Sequence, residues 1–245
     1  LFNTKYLKKK IRKNIFIIED SAHAFCGEYN NKTLGYYSDF AVFSFYATKS
    51  ITCGEGGAII TNHKKYADII KSISNNGMTK PAFKRFENNK YIPWDVYDYG
   101  FKANLSDINA SILEEQVINY TKTAKIKKKI FNEYKHALSS IKQISLPTEN
   151  KNKNRDYYLF PIGVKSNIRN KLISFLLENK IFVTVNFRSI TNLSYYKKKY
   201  KVFDCKESKK WGEETLSLPF HSKITKNEIK IVSKKIQEFF SKTIQ

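Results

Sequence analysis

Cysteine is scarce in this 245-residue chain: Cys26, Cys53 and Cys205 make an odd count with no metal-ligand spacing. That excludes a disulfide framework and a cysteine-based metal centre, and it fits free thiols in a reducing compartment. Long apolar runs are missing as well. Nothing reaches the roughly 18 unbroken apolar residues that a membrane helix needs. The opening stretch LFNTKYLKKKIRK mixes charge with apolar residues and has neither a continuous apolar centre nor a small-residue cleavage site, so no signal peptide is expected. These absences predict a soluble, cytoplasmic protein that makes no membrane contact.

Negative charge is the third shortage. Twenty-two Asp and Glu face 44 Lys and Arg, a formal net charge of +22. The basic residues recur along the whole chain, in YLKKKIRK, AKIKKK, SYYKKKYK and IVSKKIQ, whereas a nucleic-acid binder concentrates them on one face. Two readings stand beside a solvated basic surface. One is a positive field that attracts an anionic small substrate; the other is a basic nucleic-acid-binding protein.

With 41% hydrophobic residues the chain can bury a core, and its length suggests one or two domains. Strands are expected at IFII (15–18), FAVFSF (40–45) and GAIIT (57–61). Helices are expected at 4–13 and at 64–75, where Tyr66, Ile69, Ile70 and Ile73 form a stripe and Gly77 is the stop signal. Unbroken apolar strands predict an α/β layer with a mainly parallel sheet covered on both faces. Residues 79–103 read as irregular and aromatic, with Pro81, Pro93, Trp94, Tyr97 and Tyr99. A long helical region follows, with Ile108, Ile112 and Val117 on one face, and its basic part around 120–138 is the expected bridge between two lobes. Past a polar loop at 150–156 come a strand YYLFPIGV, a helix NKLISFLLENK, a strand IFVTVNF and a last helix opened by a Thr225–Glu228 capping box. The expected division is 1–125, the α/β domain, and 126–245, a smaller α+β domain.

Two stretches carry chemistry. In IFIIEDSAHAF, a strand ends in Glu19-Asp20, at the rim where open α/β sheets bind ligands. An Asp at that position is also a common turn former or helix cap. In FAVFSFYATKSITCGEGGAII, Lys49 stands between an apolar run and Gly54, Gly56 and Gly57. A partly desolvated amine favours the neutral, nucleophilic form. The bland alternative is a lysine snorkelling from a strand edge. Glycines permit tight turns or close approach of a ligand, and Ser44 and Thr48 offer hydroxyls to an anion.

Together EDSAHA and SFYATKSITCGEGG resemble the signature of the DegT-class nucleotide-sugar aminotransferases, which use pyridoxal phosphate. GFKANLSDINA, VTVNFRSITNLSYY and TLSLPFHSKIT resemble further segments of that family, so the likeness runs along essentially the whole chain. The resemblance implies the fold-type-I architecture of pyridoxal-phosphate transferases, here a partial large domain plus the smaller one. The family's N-terminal part, with a phosphate-binding turn and a ring-stacking aromatic, has no counterpart here.

Residue by residue, the resemblance implies that Lys49 forms the Schiff base with the cofactor and then shuttles a proton. Asp20 would hold the pyridine nitrogen, His23 would lie near the ring hydroxyl, and Ser44 would bind the phosphate. Lys102 and Asn104 would reach the cofactor phosphate of a second subunit, which makes the expected partner another copy in a homodimer with shared active sites. Glu55 and Arg188 are the implied substrate contacts, Arg188 as an anion clamp. From the residues alone, a helix-face role for His23, and surface charge or a helix cap for Lys102, Asn104 and Arg188, stay open. Thr191 stands where many members carry a histidine. Lys49 itself argues against the dehydratase branch, which has histidine there. The implied reaction moves an amino group from an amino acid, with glutamate the expected donor, to a nucleotide-linked keto-sugar for cell-surface polysaccharide or glycan precursors. The alternative within the family is an inactive or split fragment that needs a complementary piece. No metal is expected.

Overall fold

The computed structural model describes residues 3–79, 86–87, 89–96, 98–149, 153–201 and 204–243. Pro81, Tyr97 and positions 150–152 of the polar loop lie outside them. In chain order the first elements are α1 (Thr4–Lys10), β1 (Ile18–Asp20), β2 (Glu28–Tyr29), β3 (Lys32–Thr33), β4 (Phe40–Ser44), β5 (Gly57–Ile60) and α2 (Lys64–Ile73). Next come β6 (Phe86–Glu87), β7 (Lys90–Tyr91), α3 (Asp107–Ile118), α4 (Tyr120–Leu138), β8 (Ile144–Ser145), β9 (Lys153–Asn154) and β10 (Phe160–Val164). The last are α5 (Ser166–Glu178), α6 (Ser194–Lys199), α7 (Lys206–Glu214), β11 (Thr215–Leu218) and α8 (Lys226–Thr243). They form two compact units, one of residues 1–120 with 150–156 and one of 121–149 with 157–245.

The first unit is built on a mixed sheet of order β1-β4-β5. The parallel pairing expected of this layer is β1 with β4; β5 joins β4 antiparallel. A loop of twelve residues without a helix joins β4 to β5 and permits that reversal, since only a parallel return requires a long crossover. The expected first strand moves toward the chemistry: β1 begins at Ile18, and Ile15 and Phe16 are exposed.

Register fixes which side chains share a face. Ile18 pairs with Phe40, Asp20 with Val42, and Val42 with Ile59, so these five and Ser44 project from one side. Ala41, Phe43 and Ala58 project from the other. Beneath that second side Phe45, Ile51, Cys53 and Leu113 make a small core, edged by Phe25, Phe43 and Tyr120. The first side is not closed over: Ile18 is 65% exposed and Ile59 47%. Coverage of both faces, expected from the apolar strands, therefore fails among the described residues.

Two helix faces also differ from expectation. The stripe on α2 has no fully buried member. On α3 Ile108, Ile112 and Val117, read as one face, are exposed, while Leu113 is buried. Apolar residues surround α3, so its sequence defines no single face; the burial of Leu113 decides the orientation.

The second unit has the larger core. An antiparallel sheet of order β11-β10-β8 packs with α4, α5 and α8 around Phe131, Tyr134, Phe160, Leu172, Leu216 and Ile236, all of them fully buried. The capping box of α8 forms as expected. Thr225 N–H donates to Glu228 Oε2 at 2.7 Å, and Glu228 N–H donates back to Thr225 Oγ1 at 3.2 Å. Ile229, Val232, Ile236 and Phe240 turn inward. IFVTVNF is not a strand. It touches the sheet through one bridge, Thr184 with Ser217, and β11 takes the edge position instead.

Candidate active site

Two buried or half-buried carboxylates brace the strand that ends in Asp20. Asp39 accepts from the Ile17 N–H at 2.8 Å and from Lys8 Nζ at 2.6 Å. Burial pushes its carboxyl up, but the Lys8 and Ile17 hydrogen bonds outweigh burial and hold it below the usual carboxylate range. Glu19, on the opposite side of β1 from Asp20, accepts from Gly35 N–H at 2.6 Å, from Ser38 Oγ at 3.1 Å and from Thr4 Oγ1. Neither role is signalled by the local sequence, because each partner is distant along the chain.

Asp20 itself stands exposed at the carboxyl end of β1. Its Oδ1 accepts from Ala22 N–H at 3.1 Å, so the turn-forming role is real. That bond occupies one oxygen and leaves the other available to a ligand. Ser44, at the carboxyl end of β4, accepts from Tyr46 N–H at 3.3 Å through its Oγ.

Lys49 sits on the tip of the β4–β5 loop. Its N–H donates to Tyr46 O at 2.9 Å, and the loop closes behind it where Phe45 N–H meets Gly56 O at 2.8 Å and Cys53 N–H meets Phe45 O at 3.1 Å. Buried Phe45, Ile51 and Cys53 anchor this loop from below, so the apolar neighbours of Lys49 are the anchor and the lysine is what they carry. Helix α3 supports the loop from the side. Gln116 accepts from Thr52 N–H at 3.0 Å and donates to Thr52 O, and Asn109 Nδ2 donates to Glu55 O at 3.1 Å. The Glu55 carboxylate is exposed, so the residue's supporting contact is its backbone carbonyl.

The glycines divide by task. Gly54 has φ +85°, a left-handed conformation that favours glycine, and a Cβ there would meet nothing within 4 Å. At Gly57 a Cβ would press on Phe43 O at 2.9 Å, so that glycine serves strand packing.

His23 ties the site together. Burial lowers its imidazole pKa, the Lys49 ammonium lowers it further, and the Asp20 carboxylate opposes both. The charges of Lys49 and Asp20 thus act on this one ring with opposite sign. Ser50 adds a signal that sequence reading missed: its Oγ is buried beside Lys49 and has no partner among the described residues.

Lys102 and Asn104 are exposed on the segment leading to α3. Lys102 forms a bridge with Asn75, and neighbouring backbone bonds, Phe101 N–H to Ile73 O at 2.7 Å and Ala103 N–H to Ser74 O at 2.9 Å, fasten the segment to the end of α2. Arg188 belongs to the second unit, where it is exposed next to buried Ser189. Thr191 has a structural task there: its Oγ1 lies 2.8 Å from Ser189 Oγ, which accepts from Ser208 Oγ at 2.9 Å. Among the described residues no group of three or more His, Cys, Asp and Glu could hold a metal ion. No helix among them is long and apolar enough to cross a membrane.

Asp20 and Ser44 stand at the carboxyl ends of two parallel strands, where open α/β sheets bind ligands, and Lys49 lies on the loop that follows the second. The chain belongs to the DegT/DnrJ/EryC1/StrS aminotransferase family, whose model matches residues 7–237. It is 31% identical over 223 residues to the uncharacterized protein MJ1066 of Methanocaldococcus jannaschii, covering 88% of this chain and 58% of that protein. It is 29% identical over 231 residues to the spore coat polysaccharide biosynthesis protein SpsC of Bacillus subtilis, covering 91% and 59%. Among solved structures it resembles Helicobacter pylori PseC, an aminotransferase involved in the biosynthesis of pseudoaminic acid, with a TM-score of 0.89, 20% identity, and coverage of 99% of this chain and 64% of that one. That likeness shows the fold. The chain spans about three-fifths of the length of the curated relatives it matches.

Proposed function

We infer that the protein is a pyridoxal-phosphate-dependent sugar aminotransferase, acting on a nucleotide-linked keto-sugar with an amino acid, glutamate in the simplest case, as donor. The observation that carries this reading is the placement of Asp20 and Ser44 at the carboxyl ends of the parallel strands β1 and β4, with Lys49 on the loop that follows β4. The donor set fits the cofactor: an amine for its aldehyde, a carboxylate for its ring nitrogen, hydroxyls at Ser44 and Ser50 for its oxygens, and open space at Gly54. Family membership and a relative named for spore coat polysaccharide biosynthesis point the same way.

When bound, pyridoxal phosphate supplies an electron sink for the carbon that loses its proton. The chain's own residues do the rest. Lys49 would hold the cofactor through Nζ, and the same atom would accept and return the substrate proton. Asp20 would hold a proton at the ring nitrogen. His23, held neutral by burial and by Lys49, offers a hydrogen bond without adding positive charge. Arg188 is a clamp for a substrate anion, and Lys102 with Asn104 serves a second copy in a homodimer.

Adding pyridoxal phosphate and recording the visible spectrum tests the reading. A band that appears with the wild type and is missing with Lys49→Ala is the expected result; the same band in both would remove Lys49 from its role.

A second reading, that activity needs a complementary polypeptide, is favoured by the open sheet face with Ile18, Phe16 and Ile59 exposed. A wild-type chain that stays colourless until the remaining part of a relative is added would support it.

A further inference from the structure

The net charge is not evenly shared. The second unit carries 25 of the 44 Lys and Arg and nine of the 22 Asp and Glu, so it holds a formal +16 of the chain's +22. Part of that excess surrounds a groove of about 640 Å³ between α4 and α8.

Helical spacing puts the charges there. Lys125, Lys128 and Lys129 follow one another at i, i+3 and i+4, and on α8 Lys226 and Lys230 stand one turn apart. Two walls of ammonium groups thus line the opening, all five residues exposed. Between them lie Ala137 and, 3% exposed at the base, Ile229, beside the polar Asn132, Glu133 and His136, and the lysine methylenes add further carbon to the lining. Glu133 is the one acidic lining residue, and Lys226 meets its carboxylate at 3.8 Å. Lys125, Lys128, Lys129 and Lys230 have no ion-pair partner among the described residues. Gln237 Nε2, donating to Ala137 O at 3.4 Å, ties the two helices together beyond the groove.

We propose that this groove is a binding site for a nucleoside diphosphate or triphosphate, with the phosphates between the two lysine walls and the base on the apolar floor. Five lysines against one glutamate leave a local surplus of four positive charges, and a nucleoside diphosphate brings about three negative ones near neutral pH. Size supports the same class, since clefts of roughly 300–1,000 Å³ hold single small molecules. An extended nucleic acid or a flat anionic membrane would use a continuous basic surface, and neither needs an apolar floor set between two walls. Asn132 and His136, further along the α4 wall, are placed to hydrogen-bond a sugar or base edge. The site shares no residue with the Lys49–Asp20–His23 group and does not depend on the reading given to that group.

Titration of the full chain with N-methylanthraniloyl-ADP, followed by fluorescence, tests the proposal. Saturable binding that weakens with added salt is expected, because exposed charge pairs are screened. Lys128→Glu with Lys230→Glu should weaken it at least about tenfold, and Lys128→Arg with Lys230→Arg should retain it. Inorganic pyrophosphate should compete at least about tenfold less well than ADP, having nothing to place on the floor. Lys49→Ala should bind the nucleotide as the wild type does, so loss of cofactor colour and loss of nucleotide binding are separable results. Three outcomes would each overturn the site: unchanged binding in the charge-reversed variant, equal competition by pyrophosphate, or stronger binding to an oligonucleotide or to phosphatidylglycerol vesicles than to the nucleotide.

Discussion

At the residue scale His23 is a reporter of its two neighbours. Burial disfavours the imidazolium, Lys49 adds repulsion, and Asp20 compensates in part. Lys49→Met is therefore expected to raise the His23 pKa and Asp20→Asn to lower it, both visible in the pH dependence of the imidazole proton resonances. The stability consequence has a definite sign. The unfolded chain takes up a proton near the ordinary value of 6.5 while the folded one resists, so the contribution of His23 declines as pH falls below that value toward the lowered one. Opposite movements of the two variants are required; parallel shifts would mean that the three groups are not neighbours. Motif spacing in the sequence singles out Lys49 and Asp20 as candidates. It gives no sign of the roles of Glu19 and Asp39, since their partners lie 15 or more positions away along the chain. Asp39→Asn removes the charge that Lys8 and His63 face and weakens the bond to Ile17 N–H. A loss of roughly 1–3 kcal/mol in denaturant unfolding is expected. The Asp39 contribution is fully present above the ordinary carboxylate pKa and is lost as pH falls through the lowered folded value.

At the scale of elements, the segment carrying Lys102 and Asn104 is held by a close approach of two glycines. Gly77, with φ +72°, could not accept a Cβ without collision with Asp98 O, and a Cβ on Gly100 would strike Gly77 N. Both obstacles are backbone, so neither can rotate away. Gly100→Ala is expected to detach residues 98–104 from the end of α2, destabilising that contact by roughly 1–3 kcal/mol. Hydrogen exchange reads the change directly, since the amides of Phe101 and Ala103 bond to Ile73 and Ser74 and would lose protection. Gly77 was read as the stop signal of a helix; its contact with Gly100 depends on residues more than twenty positions apart, which no local pattern reveals. Helix α8 was legible down to its cap, because the capping box and the inward stripe are local and agree. Helix α3 was not, because apolar residues on every side leave tertiary contact to choose the face.

For the whole molecule, the two units differ in how much each can bury. The second surrounds a continuous core in which the Phe160 ring meets Phe131 edge-on at 5.0 Å and lies tilted against Tyr134 at 4.9 Å, between α4 and β10. In the first, a four-residue core lies under one side of the sheet while Ile18 and Ile59 face outward on the other. Apolar area removed from water is the main favourable term in folding, so the first unit is the less stable of the two. Calorimetry is expected to show it losing structure at the lower temperature. Phe160→Ala, which empties a fully buried site at a cost of roughly 3–5 kcal/mol, should bring down the upper transition and leave the lower one in place. Pyridoxal phosphate should do the reverse, raising only the lower transition, because a ligand stabilises the unit that binds it. Lys49→Ala should remove that rise without moving the upper transition. A single transition shifted equally by Phe160→Ala and by the cofactor would contradict the assignment of the ligand to the first unit, whatever the spectrum showed.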